Sequence, residues 1–225
     1  MRKKTLRTVA WSGFAATLAL AIGAAVVGFA ATPSPAAALE RDLNGNTVQL
    51  DSGDASSVDA AVSDAVADVG SRFEVPSVGL DVPLGELNEV DGTITPPGFT
   101  SVYRVTNRGV DVTQASSGTV YVATHSLRGG GVAPGNYLID VDDARPSIAA
   151  GETILVAGVH YVVDDSYAVD KSALPARSDV WADEPGRLVV ITCLQNPQGT
   201  ASTQNVVIEA HLATTPASTA GRGDG

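Results

Sequence analysis

From residue 75 onward the apolar residues of this chain come in short runs of Val, Ile, Thr and Tyr, each ended by Gly, Pro, Asp or Asn. Such runs predict strands, here over 78–84, 118–124, 136–141, 153–157, 159–167, 188–193 and 205–212. About seven or eight short strands without a second long helical pattern predict an all-β domain, closed or sandwiched. Ahead of them Val58, Ala61, Val62, Ala65, Val66 and Val69 recur at helical spacing, with Ser56 and Ser57 as N-cap candidates and Gly70 as the stop. That pattern predicts a short amphipathic helix packed on the domain. Residues 8–31 carry no charged side chain and are long enough to cross a bilayer. The expected organisation is a basic N-terminus and membrane segment over 1–31, a linker with the short helix over 32–74, a folded domain over 75–212, and a disordered tail over 213–225.

Charge changes the picture in two ways. Arg2, Lys3, Lys4 and Arg7 precede the apolar segment and no acid occurs before Glu40, a distribution that keeps the N-terminus inside and sends the remainder across the membrane. An anchor is one outcome; the small-residue run Pro35-Ala36-Ala37-Ala38 offers the other, a cleaved signal and a secreted domain. Beyond this N-terminus the chain, whose total net charge is −11, is acidic and has no basic stripe, which excludes nucleic acid as a partner on electrostatic grounds. The single cysteine, Cys193, excludes an intrachain disulfide and a multi-Cys metal cluster.

Candidate chemistry lies at two strand ends. In Leu188-Val189-Val190-Ile191-Thr192-Cys193 an apolar run meets the cysteine and stops at the polar loop Leu194-Gln195-Asn196-Pro197. In Thr119-Val120-Tyr121-Val122-Ala123-Thr124-His125 a second run stops at a histidine, before Gly129-Gly130-Gly131. A sheet fixes the backbone at such points while the loop leaves the side chain accessible. A nucleophilic cysteine needs a histidine that is close in the fold, not in the sequence. Taken alone, Cys193 reads first as a small hydrophobe closing a buried strand.

These residues resemble the sortases, the cysteine transpeptidases of Gram-positive cell surfaces, most closely the short actinobacterial forms of class E or F. Ile191-Thr192-Cys193 resembles the end of that family's Thr-Leu-x-Thr-Cys motif, with Val189-Val190 in the place of Thr-Leu. Val122-Ala123-Thr124-His125-Ser126 resembles its histidine strand, Thr95-Pro96-Pro97-Gly98-Phe99 the proline turn before it, Gly151-Glu152-Thr153-Ile154 the turn before the middle hairpin, and Asn205-Val206-Val207-Ile208 the final strand. The likeness runs from about residue 75 to 212. It implies a closed β-barrel of about seven or eight strands with short helices behind an N-terminal transmembrane helix. It also implies a cell-membrane enzyme with its catalytic domain outside, and no cofactor. The implied reaction is attack of the Cys193 thiolate on a sorting signal like Leu-Pro-x-Thr-Gly, protonation of the leaving amine by His125, and resolution of the thioester by a cell-wall or pilin amine.

One departure matters. Sortases carry an arginine shortly after the cysteine, before the last strand, whereas 194–205 holds neither Arg nor Lys. Gln204 or Asn205 stands in its place, or Arg128 on the glycine loop moves in, or the protein is a weak or inactive surface module. Thr192 is a further substrate-binding candidate by the resemblance. His160 and His211 form no metal-binding pattern with the third histidine, and the acidic groups near Asp140 and Asp164 match no calcium loop, so no metal site is expected.

Overall fold

The computed structural model describes residues 41–48 and 63–214. The apolar segment 8–31, most of the expected linker, residues 58–62 of the expected helix and the tail from residue 215 lie outside the described residues.

Among the described residues ten strands follow in order: β1 (Val66–Val75), β2 (Leu80–Leu87), β3 (Val102–Gly109), β4 (Val120–Ala123), β5 (Ile139–Asp140), β6 (Arg145–Pro146), β7 (Thr153–Val156), β8 (Val159–Asp170), β9 (Arg187–Leu194) and β10 (Gln204–Leu212). Eight of them close into a barrel in the order β1-β2-β3-β4-β9-β10-β8-β7, and β5 with β6 forms a separate hairpin. Most neighbours are antiparallel, but β2 with β3 and β4 with β9 run parallel. The described helices are all short 3-10 turns. The all-β, closed-barrel expectation is met.

Alternation of side chains across each strand sorts the apolar residues into two layers. Phe73, Leu84, Val102, Val120, Val122, Ile154, Tyr161, Leu188, Val190, Val206 and Ile208, drawn from all eight barrel strands, fill the interior. Residues of opposite parity, among them Tyr103, Tyr121, Val189 and Val207, form a second cluster on the outer face. Leu174, Val180 and Trp181, from the segment between β8 and β9, cover it. That covered outer face carries the site.

Three expectations are corrected. Val66 and Val69 lie in β1, not in a helix: Gly70, with φ of 79°, makes an irregularity where the pairing with β2 shifts between Val66 and Ser71. The folded region therefore begins earlier than residue 75. The run 136–141 is not one strand. Pro134 opens a 3-10 turn to Leu138, followed by the two-residue β5. β3 was not foreseen, because Arg104, Thr106, Asn107 and Arg108 break its apolar pattern.

Candidate active site

β4 and β9 are parallel, with Ala123 opposite Ile191 as the last paired residues, and the Thr124 N–H donates to the Ile191 carbonyl at 3.0 Å. His125 and Cys193 each lie two residues further on. The strand spacing of about 4.8 Å therefore sets their backbones side by side where the two strands end together. Equal parity puts both on the outer face with Ala123 and Ile191, and all four border one cavity of about 590 Å³. Cys193, the chain's only thiol, is half-buried.

Beyond the last ladder bond, side chains take over. The Ser126 hydroxyl donates to the Cys193 carbonyl at 2.6 Å, and Gln195 Nε2 donates to the Ser126 carbonyl at 2.9 Å and to its Oγ at 3.1 Å. Ser126 and Gln195 are nearly inaccessible, at 5% and 6% exposure. The Gly135 N–H donates to the His125 carbonyl at 2.8 Å. The backbone on both sides of Cys193 and His125 is thus tied down. The imidazole is oriented from the proline turn: His125 Nε2 is 2.7 Å from the Pro96 carbonyl, and the Phe99 ring packs against it with centroids 4.9 Å apart. A carbonyl only accepts, so Nε2 carries the hydrogen. The turn is itself anchored by the Tyr103 hydroxyl, which donates to the Pro97 carbonyl.

The four other candidates separate. Asn205 is the β10 residue registered opposite Cys193, and it borders the cavity. Gln204 does not; its amide donates to Asp170 at 3.1 Å. Arg128 does not border the cavity either. Thr192 borders it, but its side chain has the parity of Val190 and Leu194. Its Oγ1 is buried without a hydrogen-bond partner, against Gly135.

The structure adds groups that the sequence did not single out. Arg108 reaches the cavity from β3, paired with Glu89 through both carboxylate oxygens and lying 4.5 Å over the Trp181 ring. The Glu89 contact pushes the Arg108 guanidinium pKa above its ordinary value, holding it charged. Lys171, at the end of β8, is the other cation on the wall. Trp181 donates its indole N–H to the Leu174 carbonyl at 2.8 Å, which fastens the covering segment over the site. His211 instead pairs with Asp164 at the exposed surface, 2.6 Å apart. Among the described residues no cluster of His, Cys, Asp or Glu could hold a metal ion.

No protein-family model matches the chain, and no curated protein matches it. Solved structures similar to it are sortases of classes A and C. Sortase A of Listeria monocytogenes is 17% identical with a TM-score of 0.45, covering 66% of this chain and 89% of that one. Sortase C-1 of Actinomyces oris is 18% identical with a TM-score of 0.46, covering 64% and 73%. A lid mutant of Corynebacterium diphtheriae sortase A is 12% identical with a TM-score of 0.47, covering 71% and 77%.

Proposed function

We propose that the chain is a sortase-type cysteine transpeptidase in which Cys193 is the nucleophile and His125 the proton carrier. One observation carries the reading: parallel strands end side by side with the only thiol and a carbonyl-oriented imidazole in one cavity. A free thiol with a pKa of about 8.5 is mostly protonated at neutral pH, so the imidazole must take up its proton or stabilise the thiolate by charge. The thiolate attacks a peptide carbonyl, His125 protonates the departing amine, and the thioester passes to a second amine or to water. Asn205 beside Cys193 supplies a neutral amide donor for the developing oxyanion, weaker than a guanidinium in that place. The acyl donor is a sorting signal of the Leu-Pro-x-Thr-Gly kind and the acceptor a cell-wall or pilin amine. The enzyme is of the short actinobacterial kind that the sequence resembles. It works outside the membrane, behind the 8–31 segment.

The neutral Asn205 favours a second reading, a surface module of the same fold with little or no activity. Because the chain has a single cysteine, any thiol-directed electrophile reports on Cys193 alone. Labelling of the wild type at neutral pH is expected to be at least tenfold faster than that of His125→Ala, below the about 10²–10⁴-fold usual for a full proton-transfer step. Incubation with Leu-Pro-x-Thr-Gly-like peptides is expected to give a thioester mass on Cys193. Identical labelling rates would remove His125 from the mechanism; no adduct across a broad peptide set would leave the surface module.

A further inference from the structure

The charges on the cavity wall do not follow the charge of the chain. Its charged residues are Glu89, Arg108 and Lys171, together with the titratable His125. Glu89 and Arg108 cancel each other, and the pair is locked in place: Asn107 accepts from the Glu89 N–H and donates to the Glu89 carbonyl, each at 2.8 Å, while Trp181 lies under the guanidinium. Lys171 is different. Its backbone N–H donates to the Thr203 carbonyl at 3.0 Å, but its ammonium makes no hydrogen bond or ion pair among the described residues. The adjacent carboxylate, Asp170, accepts from Gln204. A chain with 25 acids against 14 bases thus has, among the described residues, one uncompensated cation on the wall of this cavity. A cleft of one sign within a surface of the other concentrates ligands of opposite charge.

Register fixes where that cation stands. Cys193 on β9 lies opposite Asn205 on β10, and Asn205 lies opposite Val169 on β8. Lys171 is two residues beyond Val169 and shares its face. Two strand spacings sideways and two residues along put its backbone about 12 Å from that of Cys193, roughly three to four residues of extended peptide. Leu174 and Pro175 border the cavity just beyond it, offering an apolar wall for the stem of an acidic side chain.

We propose that Lys171 forms a carboxylate-recognition subsite of this cavity, selecting an acidic group on one of the two reactants. The subsite rests on the acyl-transfer reading for its role and on the cavity charges for its existence. The carboxylate belongs either to a Glu or Asp side chain of the acyl donor or to the amine that resolves the thioester. Lys171 is a specificity residue and takes no part in bond making.

The test uses the full chain and two matched pairs of compounds. The donor pair is a Leu-Pro-x-Thr-Gly-like peptide with Glu or Gln at the variable position x; the acceptor pair is glycine or glycinamide, offered to the thioester of a neutral peptide. The ratio of KM values within each pair is the readout. The acid is expected to be favoured about tenfold in one pair, at the low end for a charge-assisted contact because Lys171 is exposed. The ratio should fall to about one in Lys171→Met and persist in Lys171→Arg. The pair that shows the preference identifies which reactant carries the carboxylate. Equal KM values in both pairs, or a preference that survives in Lys171→Met, would overturn the subsite. NMR titration of the Cys193→Ala chain with the same compounds gives the ratio without chemistry. No adduct on Cys193 with an intact carboxylate preference therefore sinks only the transpeptidase, whereas an adduct without preference sinks only the subsite.

Discussion

Neighbouring residues on β9 have opposite tasks because their side chains leave opposite faces of one strand. Cys193 opens to the cavity, while Thr192 turns toward the core with a hydroxyl that has no hydrogen-bond partner in the structure. An unpartnered buried hydroxyl has been desolvated without compensation, so replacing it by an isosteric methyl is neutral or favourable. Thr192→Val is expected to leave Cys193 acylation within about twofold of wild type and to raise unfolding stability by up to ~1 kcal/mol in urea. A large loss of acylation would show instead that Oγ1 reaches the substrate. Gly135 has no such latitude: a Cβ there would lie 2.0 Å from Thr192 Oγ1 and 2.6 Å from the His125 carbonyl oxygen. The carbonyl is backbone, and its own hydrogen bond to Gly135 holds it. Gly135→Ala should cost about 1–3 kcal/mol, the usual range for overpacking, and should slow Cys193 labelling by displacing His125. Ser126→Ala tests the link between the two strand ends. Removing the hydroxyl takes the side-chain donor from the Cys193 carbonyl and leaves Gln195 Nε2 only its bond to the Ser126 carbonyl, a loss of about 1–3 kcal/mol. Acylation should slow about tenfold with KM little changed, since Ser126 does not border the cavity.

The elements explain why some of this was legible in the sequence and some was not. β4 and β9 were readable because both are buried on two faces and run apolar up to a polar stop, His125 or Cys193. That two such ends meet was not readable from either run, since it depends on their being parallel neighbours, a relation set by the barrel. β3 was hidden for a physical reason: the charges that interrupt its pattern are neutralised only after folding, Arg104 by Glu86 and Asp111, Arg108 by Glu89. Missing β3 meant missing Arg108. In β1 the valines fit a helical period as well as a strand, and the bulge at Gly70 that decides between them belongs to the pairing with β2. The cover between β8 and β9 has almost no regular structure, so no periodicity announced it. It is nonetheless fastened: Leu174 and Val180 are buried, and Trp181 bonds to Leu174 and stacks on Arg108. Trp181→Ala should therefore loosen the cover and release Arg108 from its stack. We expect KM for donor peptides to rise several-fold and stability to fall by about 2 kcal/mol, below the usual cost for a fully buried tryptophan because Trp181 is half-buried. Unchanged KM would mean that the cover does not shape the binding cleft.

At the scale of the whole barrel, the interior has room for a phenol but no acceptor for it. Tyr161 is fully buried among the core side chains, its hydroxyl has no hydrogen-bond partner, and burial pushes its pKa up to about 12. Tyr167 and Tyr121 are also raised, each first by burial, and Tyr167 further by its hydrogen bond to Glu209. The fold favours the protonated phenol in all three. Their contribution is therefore complete below the unfolded tyrosine pKa of about 10 and is lost as pH rises through the folded values. Tyr161 alone accounts for about 2–3 kcal/mol between those limits. At the acid end the only comparably displaced group among the described residues is Asp179, held at about 2 by Arg177 on the exposed surface. A depressed carboxylate stabilises above its unfolded pKa and ceases to do so as pH falls through its folded one, but solvent screens this pair. The barrel should accordingly fail on the alkaline side first, with stability in urea falling steeply between pH 10 and 12 and tyrosinate absorbance rising together with unfolding. Tyr161→Phe removes the unpartnered hydroxyl, so it is expected to hold or raise stability at neutral pH and to flatten the alkaline fall. If the wild type is as stable at pH 12 as at pH 9, or if Tyr161→Phe falls as steeply, the core phenol does not set the alkaline limit.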